Sequence, residues 1–210
     1  MWLAGKQAEA DSLFRQILGR GRGRLIQPET RMEVYTIKVT LLGTNPPIWR
    51  RFLVPRDITL SSLHRTLQTL MGWTNSHLHQ FVWPRQRHGN CGHVVDAKIA
   101  NENRTKLGEL IWTVGATLLY EYDFGDGWQL ELLLEKVSLG DESFQQICVA
   151  GKRCGPPEDC GGPSGFAELL IALKDANHPD HEEVAEWVGD FVPELFSVEE
   201  INRQLRRWKH

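Results

Sequence analysis
The chain has 210 residues, of which 41% are hydrophobic and 24% charged. Those are values of a globular chain of domain size, and they exclude wholesale disorder. The formal charge of -3 excludes coating of nucleic acid by bulk charge alone, and no apolar run approaches the roughly 18 residues of a transmembrane helix.

The total conceals a split. Residues 1–31 carry +3, residues 32–93 carry +5 and residues 94–210 carry -11. Such asymmetry fits two halves that attract one another within one fold, or a basic surface that meets an anion. The opening residues lack the basic and apolar regions of a secretory signal, so a cytoplasmic location is expected.

In chain order, residues 1–24 can form a short amphipathic helix with Leu13, Phe14, Ile17 and Leu18 as its stripe. It runs into the alternating Gly-Arg tract of 19–24, a linker composition. Residues 1–31 are therefore expected to be a flexible extension, with Met32 as an alternative start. Tyr35, Ile37, Val39 and Leu41 alternate with polar residues, which predicts a half-buried strand. A proline-containing turn follows, then a second strand over 48–54. Leu60, Leu63, Leu67, Leu70 and Met71 recur at helical spacing, with Thr59 or Ser61 as N-cap and Gly72 as the stop. His77 to Trp83 reads as a third strand and 84–105 as a polar loop, with a short strand at Val94 and Val95.

Gly125-Asp126-Gly127 marks a hairpin. A three-residue loop there pairs Phe124 with Trp128, Tyr122 with Leu130 and Tyr120 with Leu132, which keeps one face apolar. On the other face Glu121 then opposes Glu131, so a cation is expected nearby. After residue 140 the pattern turns helical: Ser164 can cap a helix carrying Phe166, Leu169 and Leu170, residues 180–189 form an acidic helix, and Ser197 with Glu200 is a capping box. The predicted fold is α+β, an antiparallel sheet with a crossing helix in the order β-β-α-β-β-β, then a helical C-terminal third. Residues 32–210 are expected to make one domain.

Few residues suggest chemistry. Cys154, Cys160, His178 and His181 supply two thiols and two imidazoles, a set that can bind zinc. Their spacing departs from the common zinc patterns, and reduced thiols in a proline-stiffened loop are the favoured explanation. His88, Cys91 and His93 form a second group, and His77 with His79 share one strand face. No cofactor is predicted. Arg50 and Arg51 interrupt an apolar strand and must point to opposite faces, so at least one needs a partner. Pairing with the acidic hairpin face at Glu121, Asp123 and Glu131 is expected. Trp49, Trp73, Trp83 and Trp128 lie near the strands and either fill the core or line a groove.

Five segments then occur in a distinctive order. They are Pro-Pro-Ile-Trp-Arg-Arg (46–51), Leu-His (63–64), Gly-Trp followed by His-Leu-His-Gln-Phe (72–81), Tyr-Glu-Tyr-Asp-Phe-Gly-Asp-Gly-Trp (120–128) and Cys-Gly-Pro-Pro-Glu-Asp-Cys-Gly-Gly-Pro (154–163). Together they resemble the plasmid pRiA4b ORF-3-like family over about residues 33–208. The resemblance implies a compact α+β domain found on plasmids and mobile elements, with some members labelled as passenger or TnpR-like proteins of insertion elements. It implies no established reaction and no catalytic residues. The reading from the residues is a non-enzymatic binding or accessory module, with an unknown protein or nucleic-acid partner and no membrane. Its basic aromatic surface would use Trp49, Arg50, Arg51, Arg85 and Arg87, and the candidate binding set extends to His77, His79, Tyr122, Asp123, Asp126 and Trp128. The alternative is a metal-dependent hydrolase or nuclease that uses the acidic hairpin and nearby histidines.

Overall fold
The computed structural model describes residues 31–83 and 101–207. Six strands form one antiparallel sheet: β1 (Met32–Leu41), β2 (Ile48–Pro55), β3 (His79–Val82), β4 (Thr117–Tyr122), β5 (Trp128–Gly140) and β6 (Ile147–Lys152). Their spatial order is β3-β4-β5-β1-β2-β6. The helices are α1 (Leu60–Met71), α2 (Leu107–Leu110), α3 (Gly162–Lys174), α4 (His181–Val188) and α5 (Val198–Leu205). The expected α+β class, antiparallel sheet, crossing helix and helical last third are all present. No helix among the described residues is long and apolar enough to cross a membrane.

Strand alternation sends one set of side chains to a common inner face. Tyr35, Ile37, Val39 and Leu41 of β1 join Ile48 and Phe52 of β2, Leu118 and Tyr120 of β4, and Leu130 and Leu132 of β5, all buried in one core. Helix α1 covers this face. Its leucines at 60, 63, 67 and 70 recur every three or four residues, and all are buried. Each such side chain contributes roughly 1.5–3 kcal/mol relative to exposure. Thr59 caps its start, with Oγ1 accepting from the Ser62 amide at 3.3 Å. Gly72 ends it with φ of 78°, a left-handed conformation that glycine adopts without a Cβ clash.

Three expectations are corrected. The hairpin pairs Tyr122 with Trp128, Tyr120 with Leu130 and Leu118 with Leu132, so its loop is Asp123 to Gly127. A shift of two residues leaves every side chain on its expected face, so the apolar pattern alone cannot choose between the registers. The longer loop is set by Asp123, which has φ of 53° and whose Oδ1 accepts from the amides of Gly125 and Asp126. Glu121 therefore faces Gln129, not Glu131, and accepts from Gln129 Nε2 at 3.0 Å. Second, the chain returns to the sheet after residue 140 as β6, paired with β2 through a register shift between Arg51 and Phe52. Third, α3 begins at Gly162, ahead of Ser164, which lies within it.

Arg50 and Arg51 do point to opposite faces, but neither meets the acidic hairpin. Arg51 reaches past β1 to Glu135 of β5, with Nε–Oε2 at 2.6 Å and Nη2–Oε1 at 3.0 Å. Glu135 is the extra residue of a bulge in the β1–β5 ladder. Arg50 is only 2% exposed and finds backbone instead. It donates to the carbonyls of Leu70 (2.8 Å), Trp49 (2.9 Å) and Lys152 (2.9 Å), and its guanidinium stacks on Phe196. Burial lowers its pKa to about 10, so it stays charged at neutral pH. These bonds join β6, β2 and the end of α1.

Candidate functional site
Beyond α1 the chain turns at Thr74 to Ser76 and enters β3, which places His77 and His79 on opposite sides of the exposed Leu78. Each histidine belongs to a different polar cluster, although only one residue separates them.

His79 belongs to a closed cluster. Its ring stacks on His64 with centroids 3.6 Å apart, and its Nε2 lies 2.9 Å from Glu102 Oε2. Gln68 Nε2 donates to the Tyr120 hydroxyl at 2.9 Å, so that hydroxyl spends its one proton on His64 Nδ1 at 2.7 Å. His64 Nε2 then donates to Asn75 Oδ1 at 2.7 Å. The network fixes His64 as a neutral imidazole protonated on Nε2. Burial, helped by the neighbouring His79, lowers its pKa to about 4. Every polar atom named here has a partner, so this cluster is structural.

His77 belongs to an open one. Its Nδ1 lies 3.6 Å from Asp123 Oδ2 and its Nε2 3.2 Å from Asp159 Oδ1. The Nε2 atom is buried, and its geometry toward Asp159 is not that of a hydrogen bond. Ligand atoms of His77, Asp123 and Asp159 all lie within 4.8 Å of one another. Three segments remote in sequence supply them: the entry to β3, the hairpin loop, and the loop between β6 and α3.

Local structure explains why these segments meet. Asp123 uses Oδ1 to hold the hairpin loop, which leaves Oδ2 facing His77. Glu158 secures the loop that carries Asp159. It accepts from the Thr74 amide at 3.0 Å, from Ser76 Oγ at 3.1 Å, and from the hydroxyls of Thr74 and Tyr122. Burial pushes the Glu158 carboxyl up, but these donors outweigh it and the net shift is downward. Burial and the bond to Glu158 push Tyr122 up to about 12. Trp73 stacks on Tyr122 at 4.7 Å and donates from Nε1 to the Pro156 carbonyl at 3.1 Å. Gly162 completes the contact: a Cβ there would lie 2.1 Å from the Asp126 carbonyl oxygen, so only glycine lets α3 abut the hairpin. Asp126 contributes a further buried Oδ2 with no hydrogen-bond partner among the described residues.

Of the expected binding residues, the structure brings together His77, Tyr122, Asp123 and, at the hairpin tip, Asp126. Trp128 lies beneath them in the core, T-shaped against Phe166. His79 belongs to the closed cluster and Arg50 to the carbonyl cage. Trp49 stands on the outer face with Arg51 and Lys38 over its ring. Arg85, Arg87, His88, Cys91, His93 and the strand at Val94 and Val95 lie outside the described residues, as do residues 1–30.

The zinc set does not assemble. No three of Cys154, Cys160, His178 and His181 bring ligand atoms together, and the thiols of Cys154 and Cys160 are free. His181 Nδ1 is 2.8 Å from the Ala172 carbonyl, and His178 lies by Asp180. Burial, with Asp126 and Asp159 nearby, pushes the Cys160 thiol up to about 12. The two histidines follow α3, and His178 borders one cavity with Cys160. Asp159 and Glu158 are passed over by the sequence reading. Their signal was two adjacent acids inside the Cys-Gly-Pro-Pro-Glu-Asp-Cys segment.

A family profile described as plasmid pRiA4b ORF-3-like protein matches residues 33–200. The chain belongs to that family. It is 39% identical over 184 residues to the uncharacterized protein y4hQ of Sinorhizobium fredii (strain NBRC 101917 / NGR234), covering 82% of this chain and 90% of that one. It is also similar to the crystal structure of MM3350, a protein of unknown function from Methanosarcina mazei Go1. There the TM-score is 0.72 and the identity 38%, over 81% of this chain and 98% of that one. Residues His77, Asp123 and Asp159 all fall within the matched range.

Proposed function
We propose that this pRiA4b ORF-3-like protein is a metal-dependent hydrolase whose divalent cation is held by His77, Asp123 and Asp159. The observation that carries the reading is the convergence of one imidazole and two carboxylates, from three remote segments, to within 4.8 Å. This mixed nitrogen and oxygen set suits Mn2+, Fe2+ or Zn2+. Three protein ligands leave coordination positions open, as in catalytic sites and unlike closed structural ones. A cation there would supply a water of lowered pKa as nucleophile near neutral pH. The protein's own part is orientation: Asp123 is fixed by its hairpin amides, and Asp159 by the anchorage of Glu158 to Tyr122, Thr74 and Ser76.

Among the described residues, two arginines of the basic-surface reading are engaged within the fold, Arg50 by carbonyls and Arg51 by Glu135. The test is calorimetric titration of the chelator-treated full chain with MnCl2 and with ZnCl2. One cation per chain is expected, with affinity reduced at least about tenfold in His77→Ala and in Asp123→Asn. Unchanged affinity and stoichiometry in both variants would sink the proposal.

A further inference from the structure
Asp159 has a second position. It also lines a cavity of about 770 Å³ that runs between α3 and α4. That volume is in the range of sites that take a drug-sized ligand or a few side chains of a peptide. The charge of its wall is one-sided. Asp159, Glu168, Asp180 and Glu183 line it, and neither lysine nor arginine does. Its apolar lining includes Leu169, Ile171, Val184 and Trp187. Ile171 and Trp187 are exposed there, although each is large and hydrophobic.

We infer that this groove receives a basic peptide segment, with a lysine or arginine among the four carboxylates and an aliphatic or aromatic neighbour against Ile171 and Trp187. The inference rests on the metal-centre reading and names its substrate class: because Asp159 belongs to both sites, a bound segment runs toward the cation, and the bond offered for hydrolysis is a peptide amide. In that step the water oxygen bonds to the carbonyl carbon and the C–N bond breaks. One water proton goes to the amine, and the other stays with the new carboxylic acid. Charge decides against a nucleic-acid substrate, because a phosphate backbone entering the groove would face four carboxylates with neither lysine nor arginine, and only His178, to offset them.

The experiment uses the full chain and a fluorescein-labelled hexapeptide that alternates lysine with leucine. A glutamate–leucine counterpart and a single-stranded oligonucleotide serve as controls. Fluorescence anisotropy is expected to register the basic peptide alone. Its affinity should fall roughly five- to tenfold in the Glu168→Gln/Glu183→Gln double variant, and again on raising the salt. Both substituted side chains are exposed and outside the metal set, and circular dichroism of the variant checks the fold. With Mn2+ or Zn2+ present, mass spectrometry should find the peptide cleaved by the wild type and intact with His77→Ala. Binding that persists in His77→Ala without cleavage by either protein upholds the groove and removes the metal chemistry. The groove assignment is overturned if the acidic peptide or the oligonucleotide binds as tightly. It is overturned equally if the double variant binds the basic peptide unchanged. Sedimentation showing a dimer that the basic peptide cannot dissociate would assign the groove to a second copy and overturn it too.

Discussion

His77 and His79 flank one leucine at the start of β3 and enter two different kinds of chemistry. Around His79, rings and hydroxyls close on themselves: His64, Tyr120, Gln68 and Asn75 pass hydrogen bonds from one to the next. Around His77, two carboxylates approach an imidazole whose buried Nε2 makes no hydrogen bond. A polar cluster that satisfies itself contributes to stability and resists change. One held short of satisfaction by separate anchors has capacity left for a ligand. The contrast separates structure from site without reference to which residues are polar, since both clusters contain histidine and acid.

The sharpest way to break the contrast is to empty the closed cluster. His64→Ala leaves a cavity and takes the acceptor from the buried Tyr120 hydroxyl, and we expect a loss of roughly 2–3 kcal/mol in urea-unfolding stability. A loss under about 1 kcal/mol would mean that the network is slack. The same cluster predicts a pH dependence. His64 has a folded pKa of about 4, below its ordinary 6.5, because burial disfavours its charged form. As pH falls through that window the unfolded chain takes up the proton first. Stability present above about pH 6.5 is therefore lost progressively toward pH 4, by roughly 2–3 kcal/mol in all. Unfolding curves from pH 7 to pH 4 should show this slope in the wild type and a flatter one in His64→Gln.

The open cluster should behave in the opposite way. His77→Ala removes an edge contact with Tyr122 and little else, so we expect less than about 1 kcal/mol of destabilisation by thermal melting. Cation affinity should nonetheless be lost. Asp159→Asn is the mildest change, on a side chain that is 73% exposed. Its stability should stay within about 0.5 kcal/mol of wild type while calorimetry registers weaker Mn2+ binding. If Asp159→Asn destabilises as strongly as His64→Ala, the two clusters are of one kind and the distinction fails.

Much of this was legible in the residues. The four leucines of α1, its Thr59 cap and its Gly72 stop are a local code, and the helix follows it. The apolar face of the hairpin was equally plain, but its register was not. Any shift by two preserves the pattern, and the choice lies in a side-chain hydrogen bond from Asp123 to its own loop. Strand β6 escaped because Ile147-Cys148-Val149-Ala150-Gly151-Lys152 is short, contains glycine and has no polar alternation. The fate of Arg50 was hidden for another reason: its partners are main-chain carbonyls, which every residue possesses. For the site, His77 and Asp123 were readable as candidates. Asp159 was masked by the two cysteines around it, thiols that drew attention as zinc ligands even though their spacing departs from the common zinc patterns.

The strand order has a consequence for how the molecule comes into being. β1 lies at the centre of the sheet, yet its partner β5 is made only after α1, β3 and β4. At a synthesis rate of roughly 5–20 residues per second, one flank of the nascent β1–β2 hairpin waits for seconds with its peptide groups uncovered. Contacts so distant along the chain also make for slow folding. Of the three side chains proposed to hold a cation, Asp159 is made last, after β6. A cation held by the proposed set would therefore report that the strand pairings made before Asp159 were already in place.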